Sequence, residues 1–153
     1  MAVRIGKDNT IQIKTDVAAE ILKKIKHCKY ETGGIVGVNG GVITAFQFDK
    51  THSSNRFEYC PNVDFLDQVI NKKWAKENIE FAGFVHSHLN NCVISRQDIK
   101  YAGSILKMNI CYNRILVGVV DLSKETNEIL WYFVYRSDLK QVREISVTQM
   151  EEE

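Results

Sequence analysis

Two histidines and an aspartate carry the strongest chemical signal in the sequence. His86 and His88 lie two residues apart, directly after the apolar segment 79–85, and Asp98 follows ten residues after His88. Residues i and i+2 of a strand point to the same face, so both imidazoles project to one side. Asp98, from the first turn of the next helix, would make a third ligand. Three protein ligands plus a water are typical of a catalytic zinc site, whereas structural zinc sites normally close all four positions.

Each of these residues also has a simpler interpretation. A His-x-His pair is more often two ordinary strand histidines than a metal site. Ser95 and Asp98 have the spacing of a capping box, in which Asp98 reaches back from the third helical position. Glu31 could be a loop carboxylate without a task, and Gly33 and Gly34 could serve only the turn before a strand. Taken singly, the residues leave metal binding and structural roles both open.

Taken together, the spaced segments resemble one family of zinc enzymes. A glutamate opens segment 31–37 (ETGGIVG), two histidines lie in segment 86–89 (HSHL), and a Ser-x-x-Asp pattern forms segment 95–98 (SRQD). This order resembles the JAMM/MPN+ (JAB-type) metalloproteases in their bacterial and archaeal single-domain form. The resemblance extends over roughly residues 15–122, because a helix followed by a buried strand also precedes the histidines in the family order.

The resemblance implies a role for each matched residue. His86, His88 and Asp98 would bind one Zn²⁺ per chain, with a water in the fourth position. Glu31 would be the general base that takes a proton from the water and delivers it to the leaving amine. Ser95 would donate a hydrogen bond to the tetrahedral intermediate. Ser87 faces the opposite side of the strand and is interpreted as structural.

The resemblance also implies a substrate class. Family members commonly cut a peptide or isopeptide bond after the C-terminal Gly-Gly of ubiquitin or a ubiquitin-like protein, and small bacterial members act on ubiquitin-like sulfur carriers. We therefore expect a zinc peptidase or isopeptidase whose partner is a ubiquitin-like or sulfur-carrier protein. Its glycine-rich tail would dock by adding a strand to an exposed sheet edge.

Other function classes fit the sequence less well. A non-catalytic MPN-type scaffold or protein-binding module is kept as the alternative, although such a protein is expected to lack a ligand or the base, and none is lost here. A nucleotide deaminase would need a Cys-x-x-Cys segment, which the sequence does not contain. The motif alone does not exclude a role beside DNA, but the net charge of +1 and the scattered basic residues argue against it.

The sequence departs from the family pattern directly after the second histidine. The usual proline is Leu89 here, followed by Asn90 and Asn91. Without the fixed φ of proline, the loop is expected to be less rigid. Cys92 lies in the same loop. Its thiolate could reach the open zinc position and inhibit the enzyme, but a loop cysteine without this role is the simpler interpretation.

Hydrophobic periodicity predicts the elements that position these residues. They are a strand at 10–14, a helix with Thr15 or Asp16 as its N-cap and with Val17, Ile21, Ile25 and Cys28 on one face, a hairpin with arms 35–38 and 42–48, a loop at 51–56, a helix at 62–76, a strand at 79–85, a helix from Ser95, strands at 115–122 and 129–135, and a last strand within 142–147. This irregular alternation predicts an α/β fold with a mixed β-sheet flanked by helices. With the family resemblance, it predicts a JAB/MPN domain of cytidine-deaminase-like architecture.

Length and composition bound the remaining expectations. The 153 residues predict one domain over residues 1–150, with 151–153 as a frayed acidic tail. The sequence contains no apolar run long enough for a membrane span and no secretory signal, and its four cysteines are widely spaced. We therefore expect a cytoplasmic protein with reduced thiols and neither nucleic-acid nor membrane partners. Tyr132 and Tyr135 could serve a homodimer or complete the core.

Overall fold

The computed structural model describes residues 10–28, 30–49, 53–55, 58–125, 128–136 and 142–150. The elements in these ranges are β1 (Thr10–Lys14), α1 (Thr15–Lys26), β2 (Gly33–Asn39), β3 (Val42–Phe48), β4 (Ser53–Asn55), β5 (Glu58–Cys60), α2 (Val63–Gln68), β6 (Glu80–His88), α3 (Arg96–Met108), β7 (Arg114–Asp121), β8 (Leu130–Tyr135) and β9 (Val142–Met150). A π-helical segment, Val69–Trp74, continues α2.

Seven of the strands close into a mixed barrel in the order β1-β3-β2-β6-β7-β8-β9. Closure depends on β1, which pairs in parallel with β3 on one side and with β9 on the other. β6 and β7 are also parallel, whereas the other neighbouring strands of the barrel are antiparallel. β4 and β5 form a separate two-stranded antiparallel sheet.

The predicted fold class is wrong. We expected an α/β fold with a mixed β-sheet flanked by helices, as a JAB/MPN domain of cytidine-deaminase-like architecture. The described chain is instead a closed seven-stranded β-barrel with three short α-helices. The barrel closes where Thr10 pairs with Ser146. Hydrophobic periodicity depends only on residues that are close together in sequence. It therefore cannot predict a pairing between residues as far apart as Thr10 and Ser146.

Most of the elements lie where periodicity predicts them. The strand at 10–14, the hairpin of β2 and β3, the strand into His86 and the helix after Ser95 are confirmed. α1 begins at Thr15, but its N-cap is Lys14, without a side-chain cap. Part of the predicted 51–56 loop is strand β4, and residues 51, 52 and 56 lie outside the described ranges, as does the predicted tail 151–153.

Apolar side chains from every barrel strand fill the interior, and α1 packs against them. Val17, Ala18, Ile21 and Ile25 recur at helical spacing and form the buried face of α1. Cys28, expected on the same face, follows the helix and is half-buried. The strand members of this interior cluster are Ile11, Ile13, Val36, Val38, Ile43, Ala82, Val85, Leu116, Val120, Trp131, Phe133 and Ile145.

A second buried cluster covers the outer faces of β6, β7 and β8. It joins strand residues to Leu66 of α2, Trp74 of the π-helical segment, and Ala102 and Leu106 of α3. Because both faces of these strands are covered, β7 is buried at nearly every position. Tyr132 belongs to this outer cluster and so completes the core. No helix among the described residues is long and apolar enough to cross a membrane.

The two faces of β6 separate the polar residues at its C-terminal end. Val85 points into the interior cluster and Phe84 into the outer one. Because successive strand residues alternate in direction, Ser87 points inward, while His86 and His88 continue the outer face of Phe84. The histidines therefore lie on the side of the barrel that α3 covers.

Candidate metal centre

β6 delivers both histidines from a strand that is held on both sides. His86 pairs with Gly33 of β2, and His88 pairs with Asp121 of β7. Within β6, Gly83 lies so close to β7 that a Cβ atom would overlap the backbone of Leu116, and only glycine permits this approach. The backbone that carries the histidines is therefore fixed by pairing and close packing.

α3 delivers the aspartate from its first turn. Ser95 is the N-cap, and its Oγ accepts a hydrogen bond from the Asp98 N–H at 3.1 Å. Asp98 Oδ2 in turn accepts from the Ser95 N–H at 2.9 Å. The capping box suggested by the spacing is thus present, and it fixes a buried Asp98 carboxylate at the helix start.

The three predicted ligands converge on one point. Asp98 Oδ1 lies 2.7 Å from His86 Nε2, and Asp98 Oδ2 lies 3.2 Å from His88 Nε2. The two Nε2 atoms are 3.0 Å apart, and all three residues are buried. Ligand atoms about 2.0–2.1 Å from a tetrahedral zinc lie about 3.3 Å from one another. The observed spacing is therefore close to that of a zinc site.

The chemistry of the donor set also fits zinc. Two imidazole nitrogens and one carboxylate are typical of Zn²⁺, whereas Mg²⁺ and Ca²⁺ prefer oxygen ligands alone. Unprotonated Nε2 atoms and a carboxylate are all lone-pair acceptors, so their convergence in a buried place is stable only with a metal ion or a proton shared among them. The proton can belong to a neutral imidazole, so a metal is not required. The same three residues form the metal-ligand cluster found among the described residues.

The pKa values of Asp98 and His88 show how the cluster is stabilised when a proton, instead of a metal ion, is shared among its acceptors. Burial raises the pKa of Asp98, but hydrogen bonds from His86 and His88 outweigh it and hold that pKa far below the ordinary value. Burial lowers the pKa of His88, but hydrogen bonds with Asp98 and Asn91 outweigh it, so the net shift is upward. Both directions favour an ion pair that a divalent cation would replace.

Glu31 lies beside the cluster, in the loop that leads into β2. Burial raises its pKa above the ordinary value, although the nearby His88 and His86 charges act in the opposite direction. The Leu89 backbone also acts to lower this pKa, by less than the two histidine charges do.

Ser87 has the structural role expected from its direction. Its Oγ accepts from the Thr32 N–H at 3.0 Å and donates to the Thr32 carbonyl at 3.3 Å. The Ser87 N–H also donates to the Thr32 carbonyl, at 2.9 Å. These bonds fasten Thr32, the residue next to Glu31, onto β6, so the backbone at Glu31 is held to the strand that carries the two histidines.

Sequence reasoning missed one residue that contacts the site, Asn91, and one that anchors the neighbouring loop, Tyr132. Asn91 Oδ1 lies 3.1 Å from His88 Nδ1, and the Tyr132 hydroxyl donates to the Cys92 carbonyl at 2.8 Å. The only available signal was the position of Asn91 three residues after His88. The Cys92 thiol is not a member of the cluster, and burial raises its pKa, which disfavours the thiolate that zinc binding needs.

Comparison with known proteins supports the fold and leaves the activity open. No family model and no curated protein matches the chain. The solution structure of protein DSY2949 from Desulfitobacterium hafniense is similar, with a TM-score of 0.73 and 14% sequence identity over 93% of this chain and 94% of that one. At this identity the likeness shows a shared fold alone.

Proposed function

We propose that this protein is a zinc-dependent peptidase or isopeptidase. The observation that carries the proposal is the convergence of His86 Nε2, His88 Nε2 and the Asp98 carboxylate within 2.7–3.2 Å of one another. The Glu31 carboxylate, with its raised pKa, lies next to them. The resemblance to the JAMM/MPN+ motif supports the same function independently of the fold.

Each residue has a chemical task in this proposal. His86, His88 and Asp98 would hold the zinc, which supplies a hydroxide nucleophile near neutral pH and polarises the substrate carbonyl. Glu31 would accept a proton from the attacking water and pass it to the leaving amine, a task suited to a carboxylate with a raised pKa. Ser95 Oγ uses a lone pair to accept from Asp98 N–H. Its hydroxyl hydrogen can therefore donate to the developing oxyanion.

The proposed substrate is the C-terminal Gly-Gly tail of a ubiquitin-like or sulfur-carrier protein, in amide linkage. Its support is the motif resemblance. The expected mode of docking needs revision, because the closed barrel leaves none of its seven strands as a free edge. Strand addition of the tail would therefore fall to β4 or β5, which form a sheet outside the barrel.

A comparison of Glu31→Gln with the wild type tests the proposed function. The substrate would be a ubiquitin-like protein whose terminal glycine is amide-linked to a fluorescent amine. We expect a loss of hydrolysis of about 10²–10⁴-fold, with zinc content unchanged, because Gln keeps the shape but cannot accept the proton. Glu20→Gln, the same change at an exposed position of α1, is the matched control. Equal hydrolysis by Glu31→Gln and the wild type would refute the role of Glu31.

The alternative is a non-catalytic scaffold or protein-binding module. It is favoured by the ion pair itself, since Asp98 and the two histidines satisfy one another without a metal. In that case the protein would stay folded and metal-free after zinc is supplied, and Glu31→Gln would change nothing. Zinc content therefore separates the two functions before any substrate is identified.

We also propose a cytoplasmic location. Cys28, Cys92 and Cys111, the three cysteines whose side chains the structure describes, are free thiols. Free thiols are typical of a reducing compartment. The proposed location can be tested by extracting the protein under acid quench from cytoplasmic and from exported fractions and comparing the free-thiol counts.

A further inference from the structure

Asn91 lies in the loop that connects the two parts of the candidate metal centre. This loop covers residues 89–94, between the end of β6 and the N-cap of α3. Asn91 Oδ1 contacts two groups at once: the backbone N–H of Val93 at 3.0 Å and the ring nitrogen Nδ1 of His88 at 3.1 Å. One side-chain oxygen therefore joins the loop backbone to a proposed ligand.

The Val93 contact determines which way the Asn91 amide points. A backbone N–H can only donate, so the atom that faces it must be the amide oxygen. The Asn91 amide nitrogen is then directed towards Asn90 Oδ1, to which it donates at 3.1 Å. Both neighbours agree on the orientation, and an amide rotated by about 180° would lose both bonds.

The orientation of Asn91 in turn determines the tautomer of His88. Because Asn91 Oδ1 is an acceptor, the bond between it and His88 Nδ1 requires the proton on Nδ1. A neutral His88 then carries its lone pair on Nε2, the atom that faces Asp98 and His86. This is the tautomer that a metal ligand needs, since ligating histidines donate their other N–H to an oxygen.

We propose that Asn91 is the positioning residue of the metal centre, holding His88 in the orientation and tautomer that bind zinc. This inference rests on the proposed zinc function. Among the described residues, His86 has no equivalent partner, because its Nδ1 is buried without a hydrogen bond to any of them. The His86 ring is held by packing against Phe84, at a centroid distance of 5.7 Å. The two histidines are thus oriented by different means.

The same loop explains how the site manages without the usual proline. The Tyr132 hydroxyl of β8 holds the Cys92 carbonyl, and the Leu122 N–H holds the His88 carbonyl at 2.9 Å. Asn91 therefore lies between two anchors on the barrel. Hydrogen bonds restrict the loop here, in place of a fixed φ at position 89.

Zinc affinity of Asn91 variants tests this inference, measured by competition with a chromophoric chelator. We expect Asn91→Ala to bind zinc about 10–100-fold more weakly, as second-shell losses typically do. Asn91→Asp keeps an oxygen for both donors and is expected to restore the affinity. Asn113→Ala, at an exposed position before β7, is the matched control and is expected to bind as the wild type does.

A second measurement separates this inference from the proposed function. In metal-free protein labelled with ¹⁵N-histidine, the imidazole nitrogen shifts show whether His88 Nδ1 carries a proton. We expect a proton on Nδ1 in the wild type, with or without a second proton on Nε2 towards Asp98, and its loss from part of the molecules in Asn91→Ala. Wild-type affinity in Asn91→Ala, or an unprotonated Nδ1 in the wild type, would overturn the inference. A wild type that binds no zinc would overturn the proposed function, and the shifts would still decide whether Asn91 orients His88.

Discussion

The inner and outer faces of β6 carry side chains with different roles. The inner face, with Ala82 and Val85, belongs to an interior cluster that all seven barrel strands and α1 share. The outer face begins in the same way, with Phe84 against α3, but ends in two histidines beside a carboxylate. Apolar packing thus dominates the inner face, while the outer face ends in polar groups that need a shared proton or metal ion.

Along β6, the residues that stabilise the fold therefore differ from the residues proposed to bind a metal. Interior side chains are surrounded on all sides, so removing one leaves a cavity. The cluster at the outer end is held by the paired backbone of β6 and by the capping box of α3, whether or not a metal is bound. Changes on the inner face should therefore unfold the protein, and changes at the outer end should alter metal binding in a folded protein.

The largest expected effect on stability comes from breaking the inner face. Leu116 on β7 is fully buried in the interior cluster, next to Gly83 of β6. Leu116→Ala should lower the free energy of unfolding by about 2–5 kcal/mol, because the cavity cannot collapse in a closed barrel. Urea unfolding followed by tryptophan fluorescence measures it. Met108→Ala, at a position 86% exposed, is the control, and an equal loss in both variants would contradict the account.

Ionisation of Tyr101 is expected to have a smaller effect on the free energy of unfolding. The Tyr101 ring packs on Phe84, with 5.0 Å between the ring centroids. Burial, together with the charges of Asp49 and Asp67, raises the pKa of Tyr101 to about 12, from 10.0. The folded state therefore favours the neutral phenol. This contribution, about 2–3 kcal/mol, is fully present below pH 10 and is lost as the pH rises through 12.

Titration of phenolate absorbance measures this shift in the folded protein. The step near pH 12 should be absent from Tyr101→Phe, and the variant should lose less stability than the wild type between pH 10 and pH 12. If the phenolate absorbance lost in Tyr101→Phe instead belonged to a step near pH 10, Tyr101 would not be buried against Phe84 as described.

The smallest expected effect on stability concerns Ser95, at the boundary between packing and chemistry. Ser95→Ala removes the helix cap and should lower the free energy of unfolding by about 1 kcal/mol. Ser95→Gly should lower it by only a few tenths. Both variants lack the hydroxyl proposed to stabilise the oxyanion, so both should lose hydrolysis by about 10²–10³-fold. Activity that follows stability, with Ser95→Gly near the wild type, would leave Ser95 as a cap alone.

The sequence predicted that the candidate ligands lie together, although their roles stay predictions, and it did not predict the fold. His86, His88, Asp98 and Ser95 could be placed from local rules: alternation in a strand and the spacing of a capping box. Barrel closure could not, because the pairing of β1 with β9 joins the two ends of the described chain. Asn91 was missed for a related reason, since its role depends on which way one amide points within a loop.

Zinc binding by the wild type and Asp98→Asn tests the central claim most directly. The amide of this variant would keep an oxygen to accept from the Ser95 N–H, so the capping box should survive while the ligand charge is lost. Elemental analysis after zinc supplementation should find about one zinc per wild-type chain and almost none in the variant, with both proteins equally folded by circular dichroism. A wild type that remains metal-free, or a variant that holds as much zinc as the wild type, would contradict the assignment of this cluster as a zinc site.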